Sequence, residues 1–510
     1  MKPVVVLGFD AASPRLIRDW ALPAFARLRA DGVTARTLNP PGLYVGAVWP
    51  SLITGVSPAR HGRWCYDQFI PGSYGVRRMS PRDYQVEPFW MALDRAGKRV
   101  AIIDVPKSPS HALANGLHIA DWGTHDPESR GFHTYPEALA HDVQRRYRTE
   151  PVGGCDSYGH DHDAVQQLCD RLIERAERKT ELCLDLLARE RWDLFFAVFT
   201  ESHCAGHQLW RLHDPAHPEH DPVLRRALGD PLERVYRALD RSLARLLSAL
   251  PTDATVVVLA SHGMGPHYDG NMLLADMLAA MHVSGTRRDA VSTLQRTWHA
   301  APAPLRRAIN PLAVRAGLWL GRRRAGAPPG LGSALRTPDP TRMRYFAVPN
   351  NDCHGAIRLN IVGREPAGCV RTGGDVDDTI AALREELRTF VNEDTGRPVV
   401  ASLHRIEDLY PGEPHGALPD LIIDWDRSAP IRRIVSTRYG RLERPPLTPR
   451  TGDHQPDGLL IARGPEIASG GDLDAMASVD LAPTICTILG LPRPDLDGHP
   501  IAAIVAPSKS

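Results

Sequence analysis

Three short apolar runs constrain the fold of this chain most. They are VVVLGF at residues 4–9, LFFAVF at 194–199 and TVVVLA at 255–260. Continuous apolar runs of this length are typical of strands that are buried on both faces, as in parallel sheets. The second and third runs each follow a segment of helical spacing, at 164–189 and 231–250. This alternation predicts an α/β fold with a central, mostly parallel sheet flanked by helices.

The same alternation continues along the chain. Apolar runs predict further strands at residues 100–105, 420–425 and 458–462. Helical spacing that ends near a glycine predicts helices at 22–32 and 89–97. Elements therefore occur at both ends of the chain, and both ends are expected to contribute to the fold.

A basic segment rich in alanine and proline interrupts this pattern. Residues 285–340 include GRRRAGAPPGLG, which lacks the periodicity of a core element. A surface loop, a helical lid and an oligomer contact are all compatible with such a composition. We expect a core whose first part is residues 1–284, an insertion or lid at 285–340, and a core completion at 341–510.

Composition excludes some partners. The chain has 510 residues, of which 43% are hydrophobic, enough for one large core or two smaller ones. Its 61 Lys and Arg and 60 Asp and Glu residues leave a net charge of +1. No overall field therefore favours duplex nucleic acid or an acidic membrane. No apolar stretch reaches the roughly 18 residues that a spanning helix needs.

Cysteine usage and the N-terminus indicate the compartment. The eight cysteines form no CxxC pair and have no short regular spacing, so a disulfide framework is not expected. The opening MKPVVVLGFD has an apolar run too short for a signal peptide. These features predict a cytoplasmic protein, and a homo-oligomer is compatible with them.

Polar side chains follow the three buried runs. Asp10 follows the first run, His203 and His207 follow the second, and His262 follows the third. Ligands of such sheets bind beyond the carboxyl ends of the strands, so these side chains are expected to share one edge. The four-residue spacing of His203 and His207 places both imidazoles on one side of a helical turn, as metal ligands require.

Each of these residues also has an ordinary interpretation. Asp10 is either a metal ligand or a helix N-cap, although Ser13 and Pro14 are available to begin the helix. A histidine pair four residues apart is about as often structural as ligating. His262 in SHGMG and His454 in TGDHQPDG would each, taken alone, be a histidine in a polar turn.

The order of these segments is more specific than any one of them. They resemble the type I phosphodiesterase/nucleotide pyrophosphatase branch of the alkaline-phosphatase superfamily, and the match extends from about residue 4 to 501. The segments that carry the resemblance are GFDAASPRLI, WPSLITGVSPARHG (49–62), SHCAGH (202–207), SHGMG (261–265), GDHQPDGLLIARGP (452–465) and VDLAPTICTILGLPRPDLDGHPI (479–501).

The resemblance implies two neighbouring metal sites. One would use positions 203, 207 and 454, and the other positions 10, 45, 261 and 262. This chain departs from the family pattern at three of these positions. His203 and Ser261 stand where the family has Asp, and Val45 stands where the family has its Thr, Ser or Cys nucleophile.

These departures predict altered chemistry. Three imidazoles from His203, His207 and His454 suit Zn²⁺ and leave a fourth position open, with Mn²⁺ or iron as alternatives. Asp10 and His262 are then expected to hold a second metal only weakly, or to orient water. Zinc lowers the pKa of bound water from about 15.7 to roughly 7.

Val45 has no nucleophilic atom, so another group has to attack the phosphorus atom of the substrate. Metal-activated water is the favoured nucleophile. A hydroxyl of Ser51 or Tyr44 is the alternative. Ser51 has the competing interpretation of a helix N-cap. The C/S-x-P-x-R segment of sulfatases is missing, which disfavours sulfatase chemistry.

Candidate substrate contacts occur in a later segment, FAVPNNDCHGAIRLNIVGREPAG. They are Asn351, His354, Arg358 and Arg364, because Arg binds phosphate in a bidentate manner. Salt bridging is an equal alternative for both arginines. His125, in DWGTHDP, is a further candidate.

The sequence therefore predicts a metal-dependent hydrolase of a phosphate ester, a phosphodiester or a related ester of a small molecule. Two alternatives stay open. One is group transfer or bond cleavage without hydrolysis on the same scaffold. The other is a degenerate, non-catalytic binding protein, since two acidic ligands and a nucleophile are absent.

Overall fold

The computed structural model describes residues 2–80, 83–109, 111–124, 131–154, 156, 158–282, 339–351, 353–413, 415–444 and 450–505. The segment 285–340 lies almost entirely outside these ranges. The predicted division into two core parts and an insertion therefore stays a prediction.

The described residues alternate between strands and helices along most of the chain. The strands are β1 (Val4–Phe9), β2 (Val33–Leu38), β3 (Asp67–Phe69), β4 (Val76–Arg78), β5 (Val100–Ile103), β6 (Gly116–Ala120), β7 (His133–Tyr135), β8 (Leu194–Phe199), β9 (Thr255–Ala260), β10 (Gly263–Pro266), β11 (Tyr345–Ala347), β12 (His354–Leu359), β13 (Val391–Asn392), β14 (Val400–Arg405), β15 (Leu421–Trp425), β16 (Arg433–Ser436), β17 (Gly440–Glu443), β18 (Gly452–Gln455), β19 (Gly458–Arg463), β20 (Gly471–Asp472) and β21 (Met476–Ala477). The α-helices are α1 (Pro14–Asp19), α2 (Pro23–Asp31), α3 (Tyr44–Thr54), α4 (Pro58–His61), α5 (Phe89–Arg95), α6 (Ala138–Tyr147), α7 (His162–Arg189), α8 (Glu201–His213), α9 (Pro222–Leu228), α10 (Pro231–Ala249), α11 (Asn271–His282), α12 (Gly374–Leu387), α13 (Ile406–Leu409) and α14 (Leu481–Ile488).

The central sheet confirms the predicted α/β fold. Its order is β20-β2-β19-β9-β1-β8-β5-β6-β7, with β21 also paired to β2. The strands from β9 to β6 are parallel to one another, and β19 and β7 run antiparallel to their neighbours. Helices cover both faces, since separate apolar clusters pack on the two sides of β1, β8 and β9.

The three apolar runs form the middle of this sheet. All residues of β1, β8 and β9 are buried. Burying one large apolar side chain stabilises the fold by roughly 1.5–3 kcal/mol, so these strands fix the register firmly. Phe9 lies opposite both Phe199 and Ala260, so the three strands end at the same level. The residues that follow them therefore meet at one edge.

A residue other than Asp10 caps the first helix. Ser13 is the N-cap of α1 and its side chain accepts a hydrogen bond from the Leu16 amide, while Pro14 occupies the first turn. The expectation that Ser13 and Pro14 begin the helix is thus confirmed. Asp10 is not needed as a cap.

A second sheet lies apart from the central one. Its order is β11-β12-β15-β14, and its strands are antiparallel. The strand predicted at 420–425 is present as β15, and it belongs to this sheet rather than to the central one. Its apolar run, LIIDW, pairs with β12 and packs in a separate core with α12. A buried strand has the same composition in either sheet.

Two further observations concern the environment of the chain. Among the helices described here, none has the length and apolarity needed to cross a bilayer. The seven cysteines in the described ranges are free thiols, and all but Cys369 are buried.

Candidate metal centre and active site

Three imidazoles converge at the carboxyl edge of the central sheet. Helix α8 begins directly after β8 and carries His203 and His207 one turn apart. Strand β18 pairs with β10, just beyond β9, and places His454 opposite Met264. His203 Nε2 lies 3.0 Å from His454 Nε2 and 3.2 Å from His207 Nε2. The predicted convergence of these three side chains is therefore present in the fold.

Hydrogen bonds fix two of the rings. His207 Nδ1 donates to the Gly452 carbonyl at 2.8 Å, and His454 Nδ1 lies 3.0 Å from Asp453 Oδ1. Such partners are typical of metal-binding histidines, because they hold the proton on Nδ1 and leave the Nε2 lone pair free. Burial lowers the pKa of His207 well below its ordinary value. Burial also lowers the pKa of His454, although Asp453 opposes the shift. Both rings are therefore neutral at pH 7.

This donor set fits a zinc ion. The Nε2 lone pairs of His207 and His454 both face His203 Nε2. His203 Nε2 can donate only one proton, so one lone pair is left facing another nitrogen with no proton between them. A cation removes this repulsion. In a tetrahedral site with Zn–N bonds of about 2.0–2.1 Å, neighbouring nitrogens lie about 3.3–3.4 Å apart. The observed 3.0 and 3.2 Å approach this spacing. Three nitrogen ligands also leave one coordination position open.

The second metal position implied by the family resemblance does not fit. Asp10 Oδ1 accepts hydrogen bonds from Trp49 Nε1 at 2.7 Å and from Ser261 Oγ at 2.9 Å. Ser261 Oγ also lies 2.9 Å from His262 Nδ1. Among the residues that the structure describes, Asp10 and His262 belong to no set of three converging ligand atoms. Val45, half-buried in the first turn of α3, offers no ligand atom.

Asp10 is nevertheless ionised. Its burial raises the pKa, but electrostatic interaction with the His203 and His262 side chains and the hydrogen bonds from Trp49 and Ser261 outweigh burial and lower it. For His262, burial is the largest effect, and it lowers the pKa to about 3. The pair therefore consists of a carboxylate and a neutral imidazole. Neutral donors from Trp49 and Ser261 satisfy the carboxylate where a cation would otherwise be needed.

The Tyr44 hydroxyl is not activated. Tyr44 is buried at the start of α3, and burial raises its pKa well above the ordinary value, with a further contribution from Cys353. A phenol that stays protonated is a poor nucleophile.

The Ser51 hydroxyl is not activated either. Ser51 lies inside α3, whose N-cap is Leu43, so the alternative interpretation of Ser51 as an N-cap is wrong. Its Oγ is 3.0 Å from His61 Nε2, while His61 Nδ1 accepts the Arg63 amide at 3.0 Å. The ring proton is therefore on Nε2 and is donated to Ser51. Burial lowers the pKa of His61 to about 3, so this ring does not act as a base toward Ser51.

Two of the predicted substrate contacts lie close to this centre. Asn351 is buried, and its Nδ2 donates to the Trp64 carbonyl at 3.3 Å. The ring of His354 meets Tyr44 edge-on with centroids 5.5 Å apart. His354 Nδ1 lies 2.8 Å from Asp424 Oδ1. A role in binding substrate stays a prediction for both residues.

The two predicted arginines are used inside the fold. Arg358 is buried and pairs with Glu365 at 2.8 Å. Arg364 pairs with the same carboxylate at 2.9 Å and with Asp420 at 2.6 Å. These distances support the alternative interpretation that both arginines form salt bridges. The salt bridges lie inside the fold and not on its surface. The remaining candidate, His125, lies outside the described residues.

Residues that sequence reasoning missed surround the histidines. Asp453 holds His454, and its own pKa stays low because the hydrogen bond and charge of His454 outweigh burial. Arg427 Nη1 donates to the His454 carbonyl at 2.9 Å. Trp49 binds Asp10. Asp453 was visible beside His454 in GDHQ, whereas the contacts of Trp49 and Arg427 depend on tertiary packing.

One family model matches most of this chain. The model of the type I phosphodiesterase/nucleotide pyrophosphatase family matches residues 4–315, more than half of the chain. The chain belongs to this family. It is therefore a metal-dependent hydrolase of phosphate-type ester bonds, as the sequence predicted. Among curated proteins, no sequence match was found.

Solved structures of phosphonoacetate hydrolase share the fold. Phosphonoacetate hydrolase from Sinorhizobium meliloti 1021 in complex with phosphonoacetate has a TM-score of 0.54 at 13% identity, with 96% of each chain covered. Its complex with phosphonoformate has a TM-score of 0.51 at 15% identity, again with 96% of each chain covered. Murine ectonucleotide pyrophosphatase/phosphodiesterase 5 has a TM-score of 0.47 at 13% identity, over 98% of this chain and 97% of that one.

Proposed function

We propose that this chain hydrolyses a phosphodiester or a related phosphate-type ester of a small molecule, using one zinc ion and water as the attacking group. The observation that carries the proposal is the convergence of three imidazole Nε2 atoms at the edge of the sheet. His203, His207 and His454 would hold the ion. Manganese and iron are the alternatives that metal analysis distinguishes.

The residues around the proposed ion site suggest separate roles in hydrolysis. A divalent ion held by the three histidines supplies positive charge at the phosphoryl group and makes a water molecule more acidic. His262 lies beside these three histidines, and its ring centroid is 4.7 Å from that of His454. His262 Nε2 is buried and has no hydrogen-bond partner among the described residues. We assign to this atom the role of accepting a hydrogen bond from the attacking water.

A short hydrogen-bond chain fixes the orientation of His262. Ser261 Oγ donates its single proton to Asp10 Oδ1 at 2.9 Å. The same oxygen is then left to accept the Nδ1 proton of His262, also at 2.9 Å. The lone pair of His262 is thereby held at Nε2. Asp10 and Ser261 act as positioning residues in this proposal.

Water is favoured as the nucleophile because no protein hydroxyl at the site is prepared for attack. Val45 has no nucleophilic atom, and burial keeps the Tyr44 phenol protonated. Ser51 accepts a hydrogen bond from His61 Nε2, so His61 cannot take the proton of the Ser51 hydroxyl. Direct attack by water leaves no covalent phospho-enzyme at position 45.

Turnover in ¹⁸O-labelled water tests hydrolysis. We expect a panel of phosphomonoesters, phosphodiesters and sulfate esters to show turnover of a phosphodiester, with one labelled oxygen per phosphate product. Chelator-treated protein serves as the control and should be inactive until zinc is restored. Products without label would instead indicate group transfer or bond cleavage without hydrolysis.

Metal stoichiometry tests the one-ion proposal. Wild-type protein is expected to bind one zinc ion per chain, because the second position keeps only two ligands, Asp10 and His262. The double variant Val45→Thr/Ser261→Asp restores two ligands beside Asp10 and His262, so its stoichiometry should rise toward two. The matched control Val45→Thr/Ser261→Asn has a similar shape without the charge and should stay at one. Two tightly bound ions in wild-type protein would contradict the proposal, as would less than about 0.1 ion per chain after gentle purification.

A cytoplasmic location is proposed as well. It is supported by the free thiols at seven cysteine positions, six of them buried, which are typical of proteins in a reducing compartment.

A further inference from the structure

A carboxylate in the second sheet binds two histidines. Strands β12, β15 and β14 place His354, Asp424 and Ser402 in one row across the sheet. His354 Nδ1 lies 2.8 Å from Asp424 Oδ1. The other oxygen, Oδ2, accepts from Ser402 Oγ at 2.7 Å and lies 2.8 Å from His404 Nε2. Asp424 is thus held by contacts on both oxygens.

His354 lies on the side of this row that meets the metal centre. Its ring packs edge-on against Tyr44, which also meets His262 with ring centroids 6.1 Å apart. The preceding residue, Cys353, places its Sγ 3.3 Å from the His454 carbonyl. The His354 ring therefore lies close to the proposed zinc ligands, with Tyr44 in contact with both His354 and His262.

One nitrogen of His354 remains available beside the metal centre. Nδ1 is occupied by Asp424. Among the described residues, the hydrogen bond of this ring is the one at Nδ1, and the side chain keeps 17% of its surface exposed. This arrangement, a carboxylate behind an imidazole with its far nitrogen open, is the geometry of a positioned acid–base group.

Asp424 is an ionised carboxylate that holds the His354 ring. Burial raises the pKa of Asp424, but the hydrogen bonds from His354, Ser402 and His404 outweigh burial and hold this pKa well below its ordinary value. The carboxylate therefore orients the His354 ring through Nδ1, with Nε2 directed away from Asp424.

The reaction needs such a group because the second metal position is missing. When a phosphate ester is cleaved, negative charge develops on the leaving oxygen, and a cation or a proton has to neutralise it. Trp49 and Ser261 both donate to Asp10 Oδ1, and Asp10 belongs to no set of three converging ligand atoms among the described residues. We propose that His354 is a catalytic acid that donates its Nε2 proton to the leaving oxygen, with Asp424 as the positioning residue. This inference rests on the proposed function.

The step balances as follows. The oxygen of water forms a bond to phosphorus, and the bond from phosphorus to the leaving oxygen breaks. The electron pair of that bond stays on the leaving oxygen, which takes the Nε2 proton of His354 and departs as an alcohol. The attacking water releases one proton to solvent, and His354 regains one from solvent. No oxidant or reductant takes part.

Two esters that differ only in their leaving group test this role. Methyl 4-nitrophenyl phosphate releases a stabilised phenolate that needs no proton. Methyl phenyl phosphate releases phenol, whose pKa is about 10, like that of tyrosine. We expect His354→Gln to lower kcat/KM for the phenyl ester by about 100-fold, and for the nitrophenyl ester by less than about five-fold. Asp424→Asn should act in the same direction with a smaller effect.

His282→Gln is the matched control. His282 lies at the end of α11, where its Nε2 donates to the Arg342 carbonyl at 2.9 Å and not to Asp424, so its loss should change both rates by less than about three-fold. Zinc content should be unchanged in all three variants. Equal losses on the two esters in His354→Gln, or no loss on either, would overturn the role as an acid. A zinc-loaded wild-type protein that cleaves neither ester would overturn the proposed function, and this inference with it.

Discussion

Replacing His207 by alanine is expected to remove the bound metal and to lower turnover by more than about 100-fold. Losing an outer partner of a metal ligand typically costs 10–100-fold, and losing one of three ligands should cost more. His207 is fully buried, and its Nδ1 is already committed to the Gly452 carbonyl. No neighbouring side chain of the described site replaces its Nε2. Elemental analysis and kcat/KM with a phosphodiester measure the two effects.

A second histidine of the same helix provides the control. His213 lies in the last turn of α8, where its Nδ1 is 2.8 Å from Asp230 Oδ2. His213→Ala removes an imidazole and one hydrogen bond from α8, at a cost of about 0.5–1.5 kcal/mol in stability. It should keep one zinc ion per chain and its activity. Full metal content and turnover in His207→Ala would contradict both the ligand set and the proposed function.

Part of this site could be predicted from local sequence. The runs at β1, β8 and β9 are buried on both faces, and continuous apolar runs that follow helical segments are typical of parallel strands. Once these strands are placed, the polar residues after them must share an edge. The spacing of His203 and His207 then predicts their common helical face without tertiary information.

Other features could not be predicted from local sequence because they depend on contacts between distant segments. His454 was placed at the centre only by the family resemblance, because it gets there through the pairing of β18 with β10, and neither strand is long enough to be recognised by periodicity. The hydrogen bond from Trp49 to Asp10 requires the docking of α3 against β1. Arg358 and Arg364 have the composition of phosphate ligands, yet Glu365 and Asp420 use their donors.

Helix α8, which carries two of the proposed ligands, depends on a buried ion pair. Arg175 Nε on α7 lies 2.7 Å from Glu201 Oε1, and neither side chain is exposed to solvent. Glu201 is the first residue of α8, two residues before His203. Arg175→Met leaves this carboxylate buried without its partner, so we expect a loss of about 3–5 kcal/mol in the free energy of unfolding. Urea unfolding measures it.

A double variant separates the charge from the packing. In Arg175→Met/Glu201→Gln the buried charges are removed together, and replacing a buried pair by neutral groups is often nearly neutral for stability. We therefore expect it to recover most of the loss. Arg178→Met, which breaks a pair with Glu174 on the outer side of α7, should change stability by less than about 0.5 kcal/mol.

In Arg175→Met, zinc affinity should fall together with stability. Lys179, one turn further along α7, keeps its own buried pair with Asp104 at 2.7 Å, so α7 retains one anchor near the sheet edge when Arg175 is lost. The disturbance is then confined to the start of α8, and zinc affinity should fall with stability in Arg175→Met and return in the double variant. A single variant that loses less than about 1 kcal/mol would show that Glu201 finds another partner or a proton. In that case the ion pair would not be what places His203 beside His454.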